Sequence, residues 1–277
     1  MMTAAGTNAM TDQRTRARGF HALHVRGQPL VLFNVWDAGS TRAIEKAGAR
    51  AIATGSWSVA AANGVGDGEI LPIDLAIDNL VRIVAATALP VSIDIESGYG
   101  GDAEQVGLTI QRTIAAGAIG CNLEDSDPRT GKLRDPAEQV ARIHHARLVA
   151  DQAGLPYFIN ARTDVFFQKP PPEHDDAMLK TAIERGRAYA AAGANGIFAP
   201  GLADPELIGR LVEASPLPVN IMVGDTTPSL EALARIGVAR VSHGPGPYLI
   251  AMSALEAAAR AAFGPKEGIA PPFVQAA

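Results

Sequence analysis

The sequence has one cysteine, Cys121, in 277 residues. A single thiol excludes an intramolecular disulfide and any multi-cysteine metal site, and this usage fits a reducing, cytoplasmic setting. No apolar run reaches the roughly 20 residues that cross a bilayer, so no membrane association is expected. Arg14, Arg16 and Arg18 near the start have no apolar stretch behind them, so no secretory signal is read there. A basic surplus is missing too: 24 Lys and Arg against 29 Asp and Glu leave a formal net charge of -5. Nucleic acid is therefore not an expected partner, and the acidity reads as ordinary solubility. No Gly-x-Gly-x-x-Gly follows the first apolar run, which argues against a dinucleotide-binding fold.

What is present is a compact core composition, 47% hydrophobic and 19% charged, organised as a repeating unit. A short apolar run followed by a helical stretch recurs along the chain, the pattern of βα units on a parallel sheet. Eight runs fall at 30–34, 51–54, 91–94, 120–123, 157–160, 196–199, 219–222 and 240–242. Each is mostly apolar without alternation, as strands buried on both faces are. Helices are read at 41–47, 73–86, 103–116, 136–153, 176–192, 204–214 and 230–236. Most end at Ala-Gly or Ile-Gly (Gly48, Gly117, Gly193, Gly237), where a left-handed glycine turns the chain into the next strand. Eight strands over a length near the roughly 250 residues of a typical barrel predict one (β/α)8 TIM barrel, α/β class, over 1–277. An extra N-terminal helix carries Phe20, Leu23 and Val25 at its apolar positions. Residues 1–10 are expected as a disordered lead, 168–176 as a proline-rich excursion, 254–263 as a terminal helix and 264–277 as an extended tail.

In a parallel barrel the active site forms at the carboxyl ends of the strands. The third run ends in Asp94-Ile95-Glu96-Ser97-Gly98-Tyr99-Gly100, the fourth in Asn122-Leu123-Glu124-Asp125, and the fifth in Asn160-Ala161-Arg162-Thr163-Asp164. Asp94 and Glu96 are two apart and share a face. With Glu124 they bring three carboxylates to neighbouring strand ends, where like charges call for a cation or a shared proton. Mg²⁺, with Mn²⁺ as a substitute, suits hard oxygen donors of this kind. The competing reading is that these acids pair with arginines, Arg162 included.

These motifs, in this order, resemble the isocitrate lyase/phosphoenolpyruvate mutase superfamily. The acidic pair precedes Gly98-Tyr99-Gly100; Glu124-Asp125 and Ala161-Arg162 follow on the next two strands. Phe33-Asn34 to Asp37 and Thr54-Gly55-Ser56-Trp57-Ser58 resemble the first two strand ends, and Gly64-Val65-Gly66-Asp67 the loop bearing a substrate-side aspartate. The resemblance runs from about Leu30 to Met252. It implies Mg²⁺ held by Asp94, Glu96 and Glu124, largely through water. It also implies that Arg162 grips a substrate carboxylate, a task suited to a planar guanidinium. Amides near Ser56 and Trp57 would cradle other anionic oxygens, Asp67 would stand beside the leaving or migrating group, and Gly98 and Tyr99 complete the expected substrate contacts. The implied reaction is lyase cleavage of a C–C bond beside a metal-stabilised enolate of a small 2-oxo acid. One alternative is P–C chemistry on a phosphonate, as mutase or phosphonopyruvate hydrolase, which Asp67 supports; another is a catalytically silent carboxylate-binding barrel. A homotetramer with its last helix, 252–263, swapped onto a neighbour is implied as well.

The chain also departs from that superfamily. Isocitrate and methylisocitrate lyases resemble one another in a mobile loop carrying Lys-Cys-Gly-His, whereas the stretch from Ser126 to Asp135 has no cysteine. Cys121 lies inside the fourth strand and reads as a small core residue, so standard isocitrate lyase chemistry is not expected. The loop's cations are Arg129, Lys132 and Arg134. Arg129 and Lys132 are candidates for catalysis over an anion when the loop closes, or else solvated charges. Glu96 stands where many members have Asp. His144 and His145 read as surface residues, Trp36 as core, and His243 as a turn residue near the site.

Overall fold

The computed structural model describes residues 4–264. Helix α1 (Ala4–Ala22) leads into the βα units. These run β1 (Leu30–Leu32), α2 (Ala38–Lys46), β2 (Ile52–Ala53), α3 (Ser56–Ala62), α4 (Ile73–Ala85), β3 (Val91–Asp94), α5 (Ala103–Ala115), β4 (Gly120–Glu124) and α6 (Pro136–Gln152). After β5 (Phe158–Arg162) come 3₁₀ turns at Asp164–Phe167 and Pro171–Glu173, then α7 (Asp176–Ala191), β6 (Gly196–Phe198) and α8 (Pro205–Ala214). The chain finishes with β7 (Val219–Met222), α9 (Leu230–Ile236), β8 (Arg240–Ser242) and α10 (Gly246–Phe263).

All eight strands are parallel, in the order β1-β8-β7-β6-β5-β4-β3-β2. The remaining seam between β1 and β2 has no ladder. It is drawn together by a parallel bridge of Val35 with Thr54, in which the Val35 amide donates to Ala53 O at 2.9 Å and the Gly55 amide to Val35 O at 3.2 Å. The fold is thus the expected TIM-type barrel, nearly closed. Gly48, Gly117, Gly193 and Gly237 all have φ near +100°, as the helix-to-strand turns require.

Two boundaries differ from expectation. The lead expected over 1–10 is helical from Ala4 onward, as the first turns of α1. It docks through fully buried Ala17 and Phe20, the Phe20 ring lying 5.3 Å from that of Phe158 at the start of β5. Gln13 donates to the carbonyls of Ile114 and Ala118, so the helix covers the barrel end opposite the strand carboxyl termini. Leu23 packs on the core, but Val25 is exposed. The terminal helix begins at Gly246, eight residues ahead of the expected 254; the expected tail, from 265 on, lies outside the described residues. No helix among the described residues is long and apolar enough to cross a membrane.

Beneath the carboxyl end the barrel interior is polar. Asn160 Nδ2 and Arg240 Nη2 both donate to Asn122 Oδ1, at 2.9 and 3.2 Å. Arg240 is buried, and that burial pulls its pKa down to about 10. On the rim, five acids are spent on helix starts. Asp37, Asp102, Asp135, Asp175 and Asp204 each accept a first-turn amide, stabilising their helices by about 1 kcal/mol apiece. Asp67, Asp94, Glu96, Glu124 and Asp164 cap nothing. They gather at the site.

Candidate active site

The strand carboxyl ends enclose a cavity of about 230 Å³. Its lining joins polar residues, among them Ser56, Asp67, Asp94 and Arg162, with Trp57 and the apolar Phe167, Phe198, Pro200, Met222 and Pro245. The expected Ser56, Trp57, Asp67, Asp94 and Arg162 are therefore brought together.

Arg162 ends β5 and is held from two directions. Nη1 lies 2.8 Å from Glu124 Oε2, while Nε and Nη2 bind the two oxygens of Asp164 at 2.6 and 3.1 Å. Its guanidinium also sits 5.6 Å from the Phe167 ring and 6.0 Å from the Phe198 ring. Burial disfavours its charge, but Glu124 and Asp164 outweigh that and hold its pKa above the ordinary value. For Glu124 burial dominates: even against the pull of Arg162 its carboxyl is raised, with Asp164, Asp94 and Glu96 adding repulsion. Ser126 Oγ bridges the acids, donating to Asp164 Oδ2 at 2.6 Å with Glu124 Oε1 at 3.2 Å.

Asp94 ends β3. Its amide donates to Thr54 Oγ1 at 2.9 Å, its Oδ1 accepts the Glu96 amide at 3.1 Å, and Asn122 Nδ2 stands 3.4 Å from Oδ2. Asp67 at the cavity rim has its carboxyl raised by burial and then by the charge of Asp94, against a hydrogen bond from Ser56. Glu96 faces away from the cavity. Its Oε2 accepts the amides of Gly68 and Glu69 at 2.7 and 2.5 Å, and its Oε1 accepts the Tyr99 hydroxyl at 3.0 Å. Burial first, then Asp67, pushes its carboxyl up to about 7.

Other expected residues lie off the cavity wall. Gly98 has φ +107°, and a Cβ there would meet Val106 Cγ2 at 2.9 Å, so it serves packing. Tyr99 lines a small adjoining crevice instead. Arg129 pairs with Asp127 at 3.0 Å on an exposed hairpin, and Lys132 is exposed beside it. Arg134 turns inward to Glu138 at 2.7 Å. His243 has Nδ1 3.3 Å from Leu32 O and its ring against Phe33. Trp36 packs in a small apolar cluster with Val59, Leu71 and Ala76. Cys121 is fully buried, which pushes its thiol up to about 12.

Residues not foreseen are Asn34, Asn122, Asp164 and the apolar wall. Position alone, at the ends of β6, β7 and β8, was the available signal for Phe198, Met222 and Ser242. The adjacent pair Glu124-Asp125 splits in role: Asp125 is fully buried, with Oδ2 accepting Tyr189 OH at 2.7 Å and Arg185 Nη1 at 3.0 Å. Its Oδ1 accepts the Asp164 amide at 2.9 Å. It anchors β4 to α7 and sets the backbone that carries Asp164.

Among the described residues no three His, Cys, Asp or Glu side chains are gathered as a ready metal cage. The donor set nonetheless suits a hard divalent ion. Asp67 and Asp94 line the cavity, where among the described residues the one lining cation is Arg162, already paired with Glu124 and Asp164. Asp67, Glu96 and Glu124 are raised by burial first, and partly by one another or by Asp94. Such a surplus is what a cation relieves.

A parallel barrel with an acidic cavity and one clamped arginine at its strand ends defines a class of barrel enzyme. Residues 20–263 match the family described as phosphoenolpyruvate phosphomutase, and the chain belongs to that family, within the PEP mutase/isocitrate lyase superfamily. A crystal structure from Burkholderia cenocepacia, of a protein provisionally named a phosphonomutase, is 57% identical with a TM-score of 0.88, covering 90% of this chain and 99% of that one. The 2-methylisocitrate lyase of Escherichia coli is 29% identical, over 76% of this chain and 71% of its own. An oxaloacetate decarboxylase of Bradyrhizobium sp. is 30% identical, over 75% and 70%. The fold is shared with a phosphonopyruvate hydrolase solved with oxalate and Mg²⁺, at a TM-score of 0.76, 23% identity and coverage of 94% and 92%. The relatives are lyases and phosphonomutases, and this chain is an enzyme of their superfamily.

Proposed function

We propose that the protein is a Mg²⁺-dependent lyase that cleaves a C–C bond adjacent to what becomes the enolate of a small 2-oxo acid. The electron pair of the broken bond stays with that enolate, which takes up a proton to give a pyruvate-like product. The observation that carries this is the make-up of the cavity lining. It joins one guanidinium, Arg162, and two acids, Asp67 and Asp94, to apolar residues, and among the described residues no second cation lines the space to receive a phosphonate. Asp94 and Glu124, with Glu96 behind them, would hold the ion and Asp67 would face it. When bound, Mg²⁺ supplies Lewis-acid stabilisation of negative charge developing on the substrate's oxo oxygen.

The chain's own residues do the rest. A guanidinium has five N–H groups. Here one faces Glu124 and two are taken by Asp164, leaving one on each terminal nitrogen for a substrate carboxylate. Asp164 and Glu124 thus fix the plane in which that carboxylate is gripped. The amides at Ser56 and Trp57 receive its remaining oxygens. Asp67, whose carboxyl is raised by burial and by the charge of Asp94, stands at the side of the departing group. Phe167 and Phe198, whose rings lie 5.6 and 6.0 Å from the Arg162 guanidinium, and Pro200 would keep water from that end of the substrate. Arg129 and Lys132, on the hairpin, are proposed to reach the anion when that loop closes.

P–C chemistry is the second reading, favoured by Asp67 and by the Burkholderia relative's name. Oxaloacetate, phosphonopyruvate and 2-methylisocitrate, each with Mg²⁺, are the test, read as pyruvate, phosphoenolpyruvate and inorganic phosphate. Pyruvate without phosphate supports the lyase, and phosphoenolpyruvate formation or phosphate release from phosphonopyruvate supports the second reading. No product from any, with no Mg²⁺-dependent oxalate binding, would make the barrel a silent binder. The enzyme is further proposed to be cytoplasmic and homotetrameric. Leu249, Ile250 and Leu255, exposed on α10, support an interface there, and a monomer in gel filtration would remove it.

A further inference from the structure

We propose that Glu96 and Glu69 form a reciprocal clasp that fixes the 64–70 loop, and so places Asp67; Glu96 is a positioning residue of that loop. The role given to Asp67 rests on the function proposed above, whereas the clasp itself is read from geometry alone.

The loop after α3 holds Gly64, Gly66 and Gly68 within seven residues, a composition that leaves the backbone free unless something ties it down. The tie is at its far end. Glu96 Oε2 accepts both the Gly68 and Glu69 amides, at 2.7 and 2.5 Å. In return Glu69 Oε1 accepts the Ser97 hydroxyl at 2.6 Å and the Tyr99 amide at 2.8 Å. Each glutamate therefore binds the backbone segment that carries the other. Among the described residues the three non-glycine positions with positive φ are Glu69 (61°), Glu96 (51°) and Tyr99 (53°). All three lie in the clasp. Left-handed backbone at such residues persists only where surrounding contacts over-determine it.

One half of the clasp is a fixed post. Arg142 donates to the carbonyls of Ser97 and Gly100, and Ser97 is fully buried. The other half is the loop, with Asp67 directly before the two clasped amides. Reach explains the residue type: an aspartate at 96 is shorter by one C–C bond, about 1.5 Å, and would not meet both amides from the same post.

Hydrogen exchange in the metal-free protein tests this. Glu96→Gln keeps the reach and an acceptor oxygen; Glu96→Asp keeps the charge and loses the reach. The clasp predicts near-native protection of the Gly68 and Glu69 amides in Glu96→Gln and at least tenfold faster exchange in Glu96→Asp, with β4 amides unchanged. Glu69→Ala is expected to give the same local opening while its Mg²⁺ affinity, by calorimetry, stays within about twofold of wild type. A role for Glu96 through its charge alone predicts the opposite order, Asp protected and Gln open. That order, or unchanged exchange in Glu69→Ala, overturns the clasp. Since exchange needs no turnover, a failed substrate search would sink the lyase reading and leave this result standing.

Discussion

Asp125 should be worth more to stability than any acid facing the cavity. Its side chain is fully buried and holds Arg185, Tyr189 and the Asp164 amide. Removing one partner of a buried ion pair typically costs about 3–5 kcal/mol, since the other charge is left without compensation. Arg185 keeps two contacts, with Tyr189 OH at 2.9 Å and Arg134 O at 2.8 Å, which places Asp125→Ala near the lower end, about 3 kcal/mol. Against a usual domain stability of about 5–15 kcal/mol, that is a large share. Urea denaturation followed by circular dichroism reads it as a lower midpoint at unchanged slope. The double variant Asp125→Ala/Arg185→Met should recover part of the loss, because the stranded guanidinium is gone. A loss under about 1 kcal/mol, or a double variant less stable than the single, would refute this reasoning.

Cys121, with its thiol pushed up to about 12 by burial, should resist iodoacetamide at pH about 8 in the folded protein; rapid native-state alkylation by mass spectrometry would contradict its burial. Gly98→Ala, with φ +107° and a Cβ 2.9 Å from Val106, should cost about 2–3 kcal/mol by overpacking and left-handed strain, measured as a lowered denaturation midpoint. Glu96 is raised from 4.5 to about 7, and Asp67 and Glu124 are raised in the same sense. A carboxyl raised on folding contributes stability that is full below its unfolded value and is lost as pH rises through the folded one. The metal-free protein should therefore lose stability between pH 4.5 and about 7, and Mg²⁺ should raise Tm more at pH about 8 than at about 5.5. A pH-independent Mg²⁺ shift would tell against a cation near these acids.

Much of the architecture was legible because it rests on local signals. Buried parallel strands show as short apolar runs, and Gly48, Gly117, Gly193 and Gly237 mark turns that only positive φ can make. Strand-end position alone brought Asp94, Glu124 and Arg162 into view. The sequence was silent where long-range geometry decides. Nothing local distinguishes Asp125, turned toward α7, from Glu124, turned toward Arg162, one residue earlier. The pairing of Glu96 with amides 28 and 27 residues upstream has no periodic signature, so an acid in that motif reads as a ligand. Apolar residues such as Phe198 and Met222 look alike whether they face the cavity or the core. Of the two readings of the acids, arginine pairing holds for Glu124, which pairs with Arg162; Asp94 and Asp67 line the cavity, and a cation between them is the proposal made above.

Calorimetric titration of oxalate, with and without Mg²⁺, into wild-type protein and Asp94→Ala is the most direct measurement. Oxalate should bind wild type only when Mg²⁺ is present, and Asp94→Ala should show no such binding while unfolding cooperatively near the native midpoint. Equal oxalate binding without the metal, or undiminished Mg²⁺-dependent binding in Asp94→Ala, would contradict a cation held at the end of β3.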